Sequence, residues 1–466
     1  MGSLSLDGLL HVFSFLEAPD LLRAAQVDKF WNAAADSTVL WRKLCLERWV
    51  FCNVSHSSFE TFTWKEYYLH RSQLEHKMAS GRPSSDYISK AIRGFKGEII
   101  SMAYLTAYEY SFQKQERSII CTLGSDGLIQ AWDIHEGEEI WSRRVPDLPP
   151  QSLVTLPRFQ LVITTHVKGT IKVWNGETGA EQASFSTQSS SCTLATYMAN
   201  DSPFLTAATA GGTLYTLTVP HLNEVSRVTA SQSSNVNLLL CSTNMKWIVT
   251  GSIVNLDSPT KVFHTDSLTS PCEDNLPLST CLPIMNCAAA SWAPSEEARI
   301  TIMHGDGWAG HMSITTFDII TKKSKYKMEI QAHEVASCML PETTARSSLL
   351  KSHGADMILL GTGCELKLFS IFGTQLAVFQ DHQRTISSIW VDPFRVITAS
   401  WDLSLRVYMW KREGNITVLK SCYHLLGGSH RWARGFTDVT CDGVSIVGAL
   451  AGRDGADFLR AYTFSL

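Results

Sequence analysis

Beyond about residue 86 the chain repeats itself, and that recurrence constrains its fold more than any other feature. Short runs rich in Val, Ile, Thr and aromatics alternate there with Gly, Asp, Asn, Pro and Ser. The clearest units are Ser125-Asp126-Gly127-Leu128-Ile129-Gln130-Ala131-Trp132-Asp133, Lys168-Gly169-Thr170-Ile171-Lys172-Val173-Trp174-Asn175 and Ser400-Trp401-Asp402-Leu403-Ser404-Leu405-Arg406-Val407-Tyr408. Each reads as a tight turn feeding a strand closed by an aromatic. Weaker copies end at Leu217, Phe263, Phe317, Phe369 and Tyr462, so successive marks lie 39 to 54 residues apart. A unit of that length holds four short strands, and a sheet so small buries its faces only against neighbours arranged around an axis. The expected architecture is mainly β, a propeller of eight blades, with seven the alternative if one mark is misread. Too little chain follows the last mark for a fourth strand, so Tyr87 to Ile92 is expected to close the ring beside it.

The first 80 residues follow a helical period instead. Leu6, Leu9, Leu10, Phe13 and Leu16, then Leu21, Leu22 and Ala25, recur at three- and four-residue spacings, and Pro19-Asp20 is expected to supply a break and an N-cap. Thr63-Trp64-Lys65-Glu66 reads as a capping box opening a helix from Trp64 to Met78 that stops before Gly81 and Pro83. The organisation expected is a helical domain over 1–45, a helical linker over 46–85 and the propeller over 86–466.

Charge and cysteine usage narrow the function. With 40 Lys plus Arg against 44 Asp plus Glu, the net charge is −4, which argues against a broad nucleic-acid or anionic-membrane footprint. The nearest pair of the twelve cysteines, Cys281 and Cys287, is six apart and no C-x-x-C occurs, so zinc ribbons and redox dithiols are not expected. The first seven residues carry no basic or long apolar leader, and reduced thiols in a cytoplasmic or nuclear setting are the expectation. No phosphate-binding glycine loop, G-x-S-x-G or zincin helix occurs. No catalytic residue, metal or cofactor is expected.

Two stretches carry a family resemblance. Asp381-His382 stands where WD-repeat proteins have Gly-His, and Asp402 stands in the turn where they keep a structural Asp. Leu4-Ser5, Val12-Phe13-Ser14-Phe15-Leu16, Asp20-Leu21-Leu22, Val27-Asp28-Lys29-Phe30-Trp31 and Leu40-Trp41 fall in the order and spacing of an F-box. Along its whole length the chain thus resembles an F-box and WD-repeat protein. The resemblance implies a substrate receptor of a Skp-cullin-F-box ubiquitin ligase. Its F-box would grip the Skp-type adaptor and, through it, the cullin and RING subunits, and its propeller would present a target protein. The alternative is a propeller scaffold whose degenerate F-box recruits no adaptor. The family's Leu-Pro opening is here Leu4-Ser5 and its Val-Cys-Lys is Val27-Asp28-Lys29; loss of the Pro removes a rigid helix start and is expected to weaken adaptor binding.

Residue by residue, the resemblance assigns Leu4, Leu9, Leu10, Phe13, Leu16, Leu21, Leu22, Val27 and Trp31 to the adaptor face. Helices of two or three turns cannot bury all of these against one another, and Phe13 and Leu16 are expected on the partner side. Asp126, Trp132, Trp174, His382 and Asp402 are expected to hold repeats together, since in that family a His, a strand Ser or Thr, the turn Asp and the strand Trp bond in series. Trp410 is expected in the core. Trp401, just before a turn that reaches the channel mouth, and the nearby Arg384 are the candidates for target contact. Where family members that read phosphopeptides place Arg, this chain has Ser125, Val167, Ala210 and Trp401.

Overall fold

The computed structural model describes residues 5–48, 63–78, 81–106, 118–145, 149–231, 236–254, 258–271, 276–294, 298–305, 311–323, 328–342, 344–345, 348–392, 394–414 and 416–464. Leu4 lies outside them. Six helices open the chain: α1 (Leu6–Phe13), α2 (Ala18–Ala24), α3 (Lys29–Ala35), α4 (Thr38–Arg48), α5 (Trp64–Met78) and α6 (Pro83–Asp86). The break between α1 and α2 is where the sequence places it, but Glu17 rather than Asp20 is the N-cap residue, and Pro19 sits inside the first turn of α2. Proline is tolerated there because those N–H groups have no intrahelical acceptor. The capping box of α5 forms reciprocally: Glu66 Oε2 accepts from the Thr63 N–H at 2.8 Å, and Thr63 Oγ1 accepts from the Glu66 N–H at 3.3 Å.

Leu9, Phe13, Leu21, Leu40, Trp41 and Cys45 make one buried cluster together with Trp64, Tyr67 and Tyr68 of α5. The Trp41 indole donates to the Ala35 carbonyl at 2.7 Å and meets Tyr68 edge-on at 5.4 Å. The helix of the expected linker therefore shares a core with the preceding helices.

Eight four-stranded antiparallel sheets follow, each in simple meander order. Blades 1 to 7 span residues 99–144, 150–186, 192–229, 238–281, 287–339, 349–379 and 386–426; blade 8 takes 433–464 and borrows its outermost strand from the start of the chain. That strand, Tyr87–Ile92, pairs antiparallel with Phe458–Phe464, as expected, with Tyr87 opposite Phe464 and Ile92 opposite Leu459. The first strand of every blade touches the first strands of both neighbours, and the contact of blade 8 with blade 1 closes the circle. All eight marks read from the sequence lie in third strands.

One register position recurs that the aromatic marks did not reveal. Thr122, Thr164, Thr250 and Thr398 occupy equivalent sites on the second strands of blades 1, 2, 4 and 7, opposite Gln130, Lys172, Lys261 and Arg406, while Thr206 and Thr301 of blades 3 and 5 stand one place over, opposite Thr216 and Thr316. All six are buried and hydrogen-bonded. A buried hydroxyl needs such a partner; here five join neighbouring strands of their blade, and Thr398 ties its strand to His382 ahead of blade 7.

Candidate functional site

Two surfaces at opposite ends of the molecule carry the expected functional residues. In blade 7 the second strand, Arg395–Ser400, pairs with the third, Ser404–Glu413, only as far as Met409. Trp410 to Glu413 therefore run on with the fourth strand as an extended hairpin, whose Arg412 guanidinium donates to the Glu47 carbonyl at the end of α4. Trp401 follows Ser400 at the other end. The ten residues of Ser404–Glu413 span about 30 Å at strand rise, which sets the scale separating the helical unit from the Trp401 face.

At the helical end, the structure divides the residues assigned to the adaptor. Leu9, Phe13 and Leu21 are buried in the helical core, Phe13 only 2% exposed and edge-on to Trp31 at 5.4 Å. Phe13 is thus not on the partner side, because its helix turns it inward over α3. Leu10, Leu16, Leu22 and Trp31 are partly buried against that core. Val27 is 60% exposed, and Phe15, absent from the sequence-derived set, is 75% exposed and edge-on to His11 at 5.3 Å. Leu6, Val12 and Phe30 add further exposed apolar surface. The signal for Phe15 was available: it falls between Phe13 and Leu16, in the turn just past the end of a short helix.

The two departures from the F-box pattern are N-caps. Ser5 is extended and its Oγ accepts from the Gly8 N–H at 3.2 Å. Asp28 Oδ1 accepts from the N–H groups of Phe30 and Trp31, both at 2.8 Å. Each replaces a rigid or neutral residue by a side chain that satisfies orphan helix donors, so the first helix keeps a defined start without proline. Asp28→Ala should cost about 1 kcal/mol, seen as an earlier loss of helical signal in urea relative to wild type.

At the propeller end, His382 is buried and ties blade 7 together. A carboxylate only accepts, so His382 Nδ1 carries the proton given to Asp402 Oδ2 at 3.0 Å, and its Nε2 bonds Thr398 Oγ1 at 2.7 Å. Asp402 also accepts from Ser404 Oγ at 2.6 Å and the Gln383 N–H at 2.9 Å. Burial pushes its carboxyl up, but the hydrogen bonds from His382, Ser404 and Gln383 and the attraction of His382 outweigh it, holding the group well below the ordinary carboxylate range.

Blades 1 and 2 keep the other half of that series. Trp132 Nε1 donates to Thr122 at 3.3 Å and Trp174 Nε1 to Thr164 at 3.0 Å. Asp126 serves its own turn, accepting from the Leu128 N–H at 3.1 Å, while Phe95 lies against Trp132 at 5.1 Å. Trp410 is buried and stacks on His353, centroids 3.9 Å apart.

Trp401 is half-buried. It lies over Gly435, where a Cβ would come 2.5 Å from the Trp401 Cα, so a side chain at 435 would dislodge it. Arg384 is exposed beside it, its carbonyl accepting from Ser400 Oγ at 2.9 Å. The channel mouth also holds a cleft of about 580 Å³ lined by Ile253, Ala289, Leu350, Lys351, Ser388 and Ile389. Burial draws the Lys351 ammonium below its ordinary range, and Asp438 partly restores it. Among the described residues no group of three or more His, Cys, Asp or Glu is placed to hold a metal ion.

Comparison with known proteins agrees with this layout. Residues 7–47 match the family described as F-box-like. The chain is 38% identical to human "F-box/WD repeat-containing protein 12" over 444 residues, 94% of each chain. It is 27% identical to mouse "F-box/WD repeat-containing protein 15" over 460 residues, 98% of each. Among solved structures, the computationally designed Ika8 protein superposes with a TM-score of 0.52 at 18% identity, covering 79% of this chain and 98% of the other; that likeness concerns the fold alone.

Proposed function

The chain belongs to the F-box/WD-repeat family, and from that premise we propose that it is the substrate-recognition subunit of a Skp-cullin-F-box ubiquitin ligase. The observation that carries this reading is the exposed apolar set Phe15, Val27 and Phe30 on a helical unit whose own core is already complete. Apolar side chains left in water on a small domain are stabilised by a partner. The chain would supply recognition and raise the local concentration of a target near the conjugating machinery. Bond making would belong to the assembly.

The test is co-expression with the Skp-type adaptor and cullin, recovering complexes through the chain. Phe15→Asp combined with Val27→Asp should lower adaptor recovery at least tenfold, the loss expected when a charge is driven into an apolar contact, while the unfolding midpoint stays at the wild-type value. Recovery of adaptor by the wild type and its loss in the folded variant supports the receptor. A folded wild type that recovers no adaptor overturns it and leaves the propeller as a scaffold.

A further inference from the structure

The third strand of blade 5, Met312–Lys323, outruns the strand on its inner side. It pairs with the second strand only as far as Ile319, opposite Ala298, so Ile320 to Lys323 run on with the fourth strand alone. This extension stands at the end of the ring where blade 7 sends its own long hairpin to the helices. Strand alternation decides which edge it offers. The Met312 carbonyl accepts from the Leu340 N–H and so faces the fourth strand. Counted in twos from there, Thr321 and Lys323 turn their N–H and C=O groups the other way, to the side that the second strand no longer covers. Among the described residues no strand pairs with that edge beyond Ala298.

A cleft of about 820 Å³ opens beside the same edge, walled by Met198, Met245, Trp247, His264, Ile319 and Thr321. The Met198 N–H donates to the Met245 sulfur at 3.3 Å and the Thr265 hydroxyl to the Met245 carbonyl at 3.0 Å, which fixes the wall shared by blades 3 and 4. His264 is only 9% exposed and meets Trp247 edge-on at 5.0 Å. Among the described residues its ring makes no hydrogen bond, Nδ1 being enclosed without a partner and 3.9 Å from Asp266 Oδ2. Buried polar groups ordinarily have such a partner. Burial draws the imidazole below its ordinary value, Asp266 opposes that and Lys246 adds to it, so the ring is neutral at pH 7. The charges around the cleft offset one another: Lys246 against Asp266, Arg299 bonded to Asp318 at 2.7 and 2.8 Å, Lys322 opposite Glu329. The complementary ligand is therefore uncharged, with an apolar body and one hydrogen-bonding tip.

We propose that an extended segment of a partner polypeptide adds as a strand along Thr321 and Lys323 and places a tyrosine side chain in the cleft, its hydroxyl on the His264 ring. An unpaired edge is completed by main-chain bonds from an added strand, and a pocket beside it selects the side chain. Methionine walls suit an aromatic ring, and a phenol carries a polar tip on an apolar body. A hydroxyl both donates and accepts, so it satisfies either tautomer of the histidine. The site lies at the opposite end of the ring from Trp401 and does not depend on adaptor binding.

The full chain is titrated against fluorescein-labelled valine and threonine peptides of one length that carry tyrosine, phenylalanine or glutamate at the centre. The tyrosine peptide should bind about tenfold or more tightly than either of the others. Methylating alternate backbone nitrogens of that peptide should cost about as much in one of the two alternations and little in the other, because an added strand turns only every second N–H to its neighbour. His264→Phe keeps the shape of the ring and should remove the preference for tyrosine over phenylalanine while the phenylalanine peptide binds as before. Thr321→Pro, on the exposed edge, should weaken both aromatic peptides. The control, Arg158→Glu in blade 2, should change nothing. Equal binding of the three peptides or none, tighter binding of glutamate, or a tyrosine preference that survives His264→Phe at a wild-type unfolding midpoint overturns the proposal. Should His264→Phe not fold, undiminished binding of the tyrosine peptide to Thr321→Pro overturns it equally.

Discussion

Asp402→Asn should lower the stability of the propeller by roughly 2–4 kcal/mol at neutral pH, the scale for hydrogen bonds to a charged group lost from a largely buried site. The substitution keeps the shape and removes the charge that gathers His382, Ser404 and the Gln383 N–H around the turn. His382 then loses a strong acceptor while Thr398 still binds its other nitrogen. The sign of the pH dependence follows from the lowered carboxyl. A group held below its ordinary value of 3.8 stabilises the fold fully above that value and loses its contribution as pH falls through the window beneath it. The wild type and Asp402→Asn should differ most near pH 7 and converge below about pH 4, compared as urea midpoints at each pH. A gap that widens on acidification would show that the carboxylate is not what the turn depends on.

The second large effect lies in the helical unit. Phe13→Ala should cost roughly 3–5 kcal/mol, the range for emptying a buried aromatic site, because Phe13 fills the space between α1 and α3 and meets Trp31 edge-on. Limited proteolysis should then cut within the first 48 residues while the blades stay intact, and adaptor recovery should fall because the helical face is gone. Phe15→Ala, two residues away and largely in water, should change stability by no more than about 0.5 kcal/mol and act on the adaptor alone. Equal stabilities for the two variants would contradict the placement of Phe13.

The contrast between those neighbours shows how far the sequence could be read. Period, turn chemistry and strand-closing aromatics marked all eight blades, and the shortage of chain after Tyr462 pointed to Tyr87–Ile92 as the missing strand. The side of a short helix that turns inward was less legible. Three-residue spacing places Phe13 and Leu16 on one stripe, but which stripe meets α3 depends on how the helices cross, and Phe13 meets Trp31 there, eighteen residues further on. The buried threonines had a signal that aromatics masked: Thr122, Thr164 and Thr398 each stand ten residues before Trp132, Trp174 and Tyr408.

The strand that completes blade 8 imposes an order of events on synthesis. Residues 87–92 leave the ribosome long before their partners at 458–464, and the Arg460 guanidinium that donates to Ser89 at 3.0 Å spans 371 positions. The helices of residues 5–48 and 63–78 bury their core among themselves and can fold while most of the blades are still unmade. A nascent chain therefore displays Phe15, Val27 and Phe30 long before the loops of blades 7 and 8 meet. On the proposed receptor reading, the adaptor face is complete before the propeller closes, and a chain cut short before residue 458 would occupy adaptor with an open ring.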